Sequence, residues 1–390
     1  EGVTIKAYPS LDTGQALVEA AVQMSRLLDG KIDDIERIEV VRGPGGALWG
    51  ANAVNGIINI ITHSAEDTQG PTVWLGAGNE NRARLSARYG MPLGEQLYGA
   101  LRLHYALHDE LTRAGMGAAD GWSIARVGWR IDGKVAANDE IFFDADVYSG
   151  RIDQPFTFLL ADEAPYIRDL NSTSSVKGGH ALLHWTRAQS ADSEFSLQTY
   201  CDYSWRDEKL VTGNLHIYDI DFQHRRRLDA RQEIVWGVGY RLHRDDFAES
   251  IITSFAPGMR SYGVFSAFAQ DAIILVPNQV QFMLGAKLEH NDFTGYAFQP
   301  NMRLLWTPNE RQTLWVAASR ALRAPSRADH DLVVGLAVIP APDGPDIFVT
   351  AFGDEDFLPE EARSLELGYR TRMRDNTLFD AAVFYTLYDD

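Results

Sequence analysis

The chain holds a single cysteine, Cys201. No internal disulfide can form, and no cysteine-based metal site exists. No run of eighteen apolar residues occurs, which excludes a transmembrane helix but not a β-barrel, whose spans of about ten residues leave little hydropathy signal. Positive charge is short: 36 Lys and Arg stand against 54 Asp and Glu, a formal net charge of -18. That balance argues against nucleic acid as a partner, because phosphate binding needs a basic face. No cofactor and no metal site is called for.

What is present is alternation. Residues 13–29 read as a helix, with Leu17, Ala21, Met24 and Leu28 on one face and Gly30 after the end. From Pro71 onward helical periodicity disappears, except near residues 326–333. Between Leu97 and His108, Leu101, Leu103, Tyr105 and Leu107 share one face, while Arg102, His104 and His108 share the other. The same pattern recurs at 141–149, 233–242, 280–289 and 364–374. Period two with one charged face marks a strand between two different solvents. About fourteen such segments are predicted, most of ten residues or more, about twice the usual globular length. Short turns at 93–96, 133–139, 189–193 and 308–311 alternate with longer loops at 152–173, 245–259 and 322–361. Short turns at one end and long loops at the other is the arrangement of an outer-membrane barrel. Trp122, Tyr148, Trp185, Trp205, Tyr262, Trp306, Tyr369 and Tyr388 are placed near segment ends, where interfacial aromatic girdles are expected.

One stretch stands apart. "IERIEVVRGPGGALWGANAVNGIINIIT" (35–62) sets five glycines between two strand-like runs. It lacks the Lys of a Walker loop, and its downstream segment is too β-branched to open a dinucleotide-binding helix. A compact segment remains, in which backbone presses on backbone or on a wall.

These residues closely resemble the plug signature of TonB-dependent outer-membrane receptors: Arg42-Gly43-Pro44, then Trp49-Gly50, then Gly56-Ile57-Ile58-Asn59-Ile60. "FAQDAIILVPNQVQFMLGAKLEHN" (268–291), "RLLWTPNERQTLWVAASRALRAPS" (303–326) and "GDEDFLPEEARSLELGYR" (353–370) resemble strand pairs of the same family's barrel. The resemblance covers about residues 32–390. It implies a mainly β fold: an antiparallel transmembrane β-barrel, incomplete at about 14–15 of 22 strands, with part of an α+β plug domain in its lumen. The division expected is a partial plug at 1–68 and a partial barrel at 69–390. The energy-coupling segment and the first half of the plug are not found, so the chain reads as a fragment.

The resemblance also implies function. A receptor of this family takes up a scarce metal chelate across the outer membrane of a Gram-negative bacterium, energised by the TonB complex of the inner membrane. It performs no covalent chemistry, and its partners are outer-membrane lipid, the TonB complex and a small chelate. A ferric siderophore is the default by family frequency; cobalamin and haem are minority ligands. His330 follows an Arg-Ala-Pro run as the ligand histidine of haem receptors does, and Phe156, Phe158, Tyr166 and Arg168 are loop residues suited to an anionic chelate. Arg42 is expected to pair with a barrel carboxylate such as Glu289 or Glu366. A passive porin shares the alternation but not the 35–62 signature, and a barrel enzyme would need a catalytic set at its rim.

Overall fold

The computed structural model describes residues 2–6, 35–42, 53, 56–110, 120–159, 167–250, 252–341, 346–374 and 377–389. For 2–6, 41, 42, 155–159, 167–170 and 374 it describes the backbone alone. The helix predicted at 13–29 lies outside the described residues, as do Gly43, Pro44, Trp49, Gly50 and Tyr166.

Three sheets are present among the described residues. The first is small and antiparallel: β1 (Gly2–Lys6) and β2 (Ile35–Arg42) flank β3 (Gly56–Thr62). β3 is the middle strand, and its run is apolar apart from Asn59 and the closing Thr62, as suits a strand covered on both faces. Ile57 and Ile58 are fully buried. The residues ahead of the 13–29 helix have no assignment from sequence, yet Gly2–Lys6 supplies the third strand of this sheet.

The second sheet holds fifteen strands. In chain order they are β4 (Gly70–Gly76), β5 (Asn81–Pro92), β6 (Leu97–His108), β7 (Trp122–Ala136), β8 (Asp139–Leu159), β9 (Ile167–Ser190), β10 (Ser193–Asp207) and β11 (Thr212–Arg227). They continue with β12 (Gln232–Ala248), β14 (Met259–Val276), β15 (Val280–Asn291), β16 (Gly295–Asn309), β17 (Gln312–Arg323), β20 (Glu360–Arg374) and β21 (Thr377–Asp389). Each pairs antiparallel with the strand before and after it, and β4 and β21 are the two edges.

Alternation sets which face is which. Leu365 and Leu367 are 54% and 56% exposed, while Glu366 between them is half-buried. On β15, Leu284 and Leu288 are exposed, and Lys287 and Glu289 are buried. A wall that exposes leucine and covers charge is inside out for water, and fits a sheet with lipid outside. No helix among the described residues is long and apolar enough to cross a membrane.

Two expectations are corrected. Residues 152–173 were expected as a loop, but β8 and β9 run on through most of it, pairing to Leu159↔Ile167. Pro155 and the polar run Asn171-Ser172-Thr173-Ser174-Ser175 resemble loop chemistry, yet the ladder pairs without a break from Ile152↔Ser174 to Leu159↔Ile167. Four aromatics assigned to outer girdles point inward instead: Trp122 stacks on His108, Tyr148 lies against Gly178 and Arg126, Tyr262 stacks on His243, and Tyr388 is in register with the buried Ala362. Each is in phase with the polar residues of its strand, and nearness to a strand end carries no information about face.

The third sheet is assembled from two loops. β13 (Thr253–Phe255), between β12 and β14, pairs with β18 (Leu332–Ile339), which pairs with β19 (Ile347–Phe352). The helix expected near 326–333 is α1 (Arg327–Asp331), closed at its start by a capping box between Ser326 and Asp329.

Candidate functional site

Two places on the inner face gather buried charged residues, and of the residues singled out by sequence the second holds His330. One is where the small sheet meets the wall. Arg130 on β7, 6% exposed, donates from Nη1 to Thr62 Oγ1 (2.7 Å) and from Nε to Asp132 Oδ1 (2.6 Å). Asp132 in turn accepts the backbone N–H of Ala65 on both carboxylate oxygens, at 2.9 and 2.8 Å. The Arg130 guanidinium lies 4.7 Å from the Phe142 ring centroid. The Tyr98 hydroxyl on β6 bonds to the Glu66 carboxylate. The segment after β3 is therefore held to the wall by charge-assisted bonds in a covered place, where such bonds are strongest.

Within the small sheet, Asn59 Nδ2 donates to Glu39 Oε2 across the β2–β3 pair at 3.1 Å. Arg37 pairs with Glu39 on its own strand rather than with the wall. The backbone of Arg42 pairs with Gly56, and its side chain lies outside the described atoms. Of its two proposed partners, Glu366 accepts the Trp315 indole N–H. Glu289 is buried on the inner face near Lys287 and Asp221. Sequence reasoning missed Arg130 and Asp132, although "GWRID" does show two charges spaced by two on one strand face.

The second place is the mouth. Arg327 of α1 donates from Nε to both oxygens of Asp245 on β12, at 3.1 and 2.9 Å, and is also bonded to Asp331. Asp331 accepts twice from Arg260 Nη1 on β14, at 2.6 Å each. Arg327, Asp245 and Asp331 are all buried. His330, 4% exposed, stacks on Phe293 at 4.5 Å, and its Nε2 finds no hydrogen-bond partner. Phe293 also carries Arg260 at 4.6 Å and Tyr262 at 4.6 Å. The loop after β17 is thus bolted to the inner faces of β12 and β14 through α1. Phe156 and Arg168 stand on the paired ends of β8 and β9, where only the backbone is described. Among the described residues no group of three or more His, Cys, Asp or Glu could hold a metal ion.

Comparison with known proteins fits this geometry. The family model described as "TonB dependent receptor-like, beta-barrel" matches residues 119–390. The chain belongs to the TonB-dependent receptor family, whose members are receptors and transporters rather than enzymes. It is similar to the pesticin receptor of Yersinia enterocolitica, 25% identical over 406 residues, covering 95% of this chain and 58% of the relative. A shorter match, 56% identical over 46 residues, is to the vitamin B12 transporter BtuB of Vibrio vulnificus, covering 12% of this chain and 8% of the relative. The crystal structure of the siderophore receptor PirA from Acinetobacter baumannii superposes with a TM-score of 0.69 at 17% identity, covering 92% of this chain and 58% of that one. The chain thus spans well under two thirds of the length of the relatives it matches.

Proposed function

We propose that this chain is the plug-bearing part of an outer-membrane receptor for TonB-energised uptake of a metal chelate, with a ferric siderophore as the ligand. In this reading residues 1–68 belong to the plug and 69–390 to the barrel. The observation that carries it is the small sheet tied to the inner wall through Arg130, Thr62, Asp132 and Ala65. A passive pore has no use for a second folded unit fastened inside its wall. A transporter driven from the other membrane needs one, held by polar bonds that can be broken and remade.

The siderophore reading is supported by the likeness to PirA and by the family's usual ligands. Cobalamin is the second reading, favoured by the 46-residue likeness to BtuB. Haem lacks support: the ring of His330, the histidine that reading needs, is packed on Phe293 at 4% exposure.

The test is uptake by a host lacking its own receptors and carrying the full-length gene. Radiolabelled ferric siderophores and cobalamin are offered with and without a working TonB complex. TonB-dependent accumulation of iron supports the proposal, and accumulation of cobalamin alone replaces the ligand. Accumulation that is indifferent to TonB sinks it in favour of a pore.

A further inference from the structure

The outward face of β8 to β12 carries a pattern that transport does not use. Near the short turns, Phe195, His224 and Trp236 stand in register across β10, β11 and β12, with ring centroids 4.3 and 5.7 Å apart. Toward the long loops a second row crosses the same strands. Lys177 on β9 is in register with Trp205 on β10, Tyr203 with His216 on β11, and His216 with Arg244 on β12. Arg151 on β8 lies one outward-facing step beyond Ser149, the register partner of Lys177.

Between the rows the outward face is uncharged. On β12 it shows Val238, Tyr240 and Leu242, and on β11 Phe222, Ile220 and Tyr218, with no charge at the matching positions of β8, β9 and β10. Eight residues separate Trp236 from Arg244. At about 3.3 Å each and a strand tilt near 40°, that is roughly 20 Å of height, close to the apolar band of an outer-membrane barrel. The second row therefore sits at the outer edge of the hydrocarbon.

That row is basic in a chain of strongly negative net charge. Arg151, Lys177 and Arg244 are exposed, and none is in an ion pair among the described residues. The Lys177 ammonium lies 5.2 Å from the Trp205 ring centroid. The outward-facing carboxylates of β10 and β12 that come closest, Asp207 and Asp246, stand one step further out, and Asp207 accepts the Thr212 hydroxyl. Cations placed between an apolar field and an acidic rim suit an amphiphile with anionic groups just above its chains.

We propose that Arg151, Lys177, His216 and Arg244 bind the phosphates of the phosphorylated glycolipid of the outer leaflet, with its acyl chains on the field below. This rests on the outer-membrane reading above. The test is native mass spectrometry of the purified full-length protein, titrated with diphosphoryl lipid A, with the same lipid dephosphorylated, and with phosphatidylglycerol. Wild type should retain the diphosphoryl form selectively. The triple variant Arg151→Gln, Lys177→Gln, Arg244→Gln should bind it roughly a hundred-fold more weakly, with the dephosphorylated lipid unchanged. Equal retention by wild type and variant overturns the proposal, and equal retention of phosphatidylglycerol overturns the choice of leaflet. Should the variant not assemble, the wild type decides: about 1 M salt should strip the phosphorylated lipid, and retention overturns the site. Normal TonB-dependent uptake without lipid selectivity removes this inference alone, whereas loss of TonB dependence in the wild type removes the reading beneath it.

Discussion

Arg327 and Asp245 meet in a two-pronged hydrogen bond with both side chains buried, 82 residues apart in sequence. A buried pair costs most when only one partner is removed, because the other charge is left unpaired. Asp245→Ala should therefore loosen α1 and its loop by about 3–5 kcal/mol of local stability. Protease cleavage within residues 324–359 should rise while the barrel stays folded by heat-modifiable migration. Replacing Asp245 and Arg327 together by apolar residues should recover much of the loss; unchanged cleavage in the single variant would show that α1 is held by something else.

Asp132 is the point where the segment leaving the small sheet is gripped. Substituting Asp132→Ala removes the acceptor for the Ala65 N–H and the partner of Arg130. Hydrogen bonds to a charged group contribute about 1.5–3 kcal/mol each. The denaturant midpoint for release of the small sheet from the wall should fall by a corresponding amount, with the barrel transition unmoved. Leakage of a bulky antibiotic through the variant, measured by growth inhibition, should increase. A midpoint equal to that of wild type would dismiss the joint as a surface contact.

Arg82 and Asp109 join the start of β5 to the end of β6. The Arg82 guanidinium, hydrogen-bonded to Asp109, holds that carboxyl below its ordinary value of 3.8. A depressed carboxylate stabilises fully above its unfolded value and loses that contribution as pH falls through the folded one. The contact should thus be intact at neutral pH and fray only below about pH 4. Amide exchange of Asp109, whose N–H bonds to Glu80 O, reports this directly. Fraying already at pH 6 would mean another group controls the contact.

Cys201 faces outward on β10 between Phe195 and Trp205, within the uncharged field. In bilayers it should resist water-soluble maleimides yet react with a lipid-soluble thiol reagent, and denaturation should expose it to both. Rapid labelling by the water-soluble reagent in intact membranes would place this face in water.

Much of the barrel is legible before any coordinates. The alternation at Leu101, Leu103 and Tyr105 against Arg102 and His104 reports two solvents, and the structure puts those faces where the pattern does. The capping box of Ser326 and Asp329 marks α1 in the same way. What resists reading is whatever depends on partners distant in sequence. Trp122 and Tyr148 point inward because of phase, which only the whole strand shows. Arg130 and Asp132 differ in no visible way from other charged residues of the wall until Thr62 and Ala65 arrive beside them. β1 is invisible because a run of five residues, even with Val3, Thr4 and Ile5 in it, is too short to declare a strand until β3 offers an edge.

The sheet that β13, β18 and β19 form across the mouth bears on the order of assembly. Thr253 pairs with Val334, so its ladder cannot close until β14 to β17 have been laid down between them. Loops of that length are slow to bring together, and the pairing gains its strength only from a finished frame. The mouth is then the last part of this region to set, and its closure is a built-in report that the strands beneath have found their register.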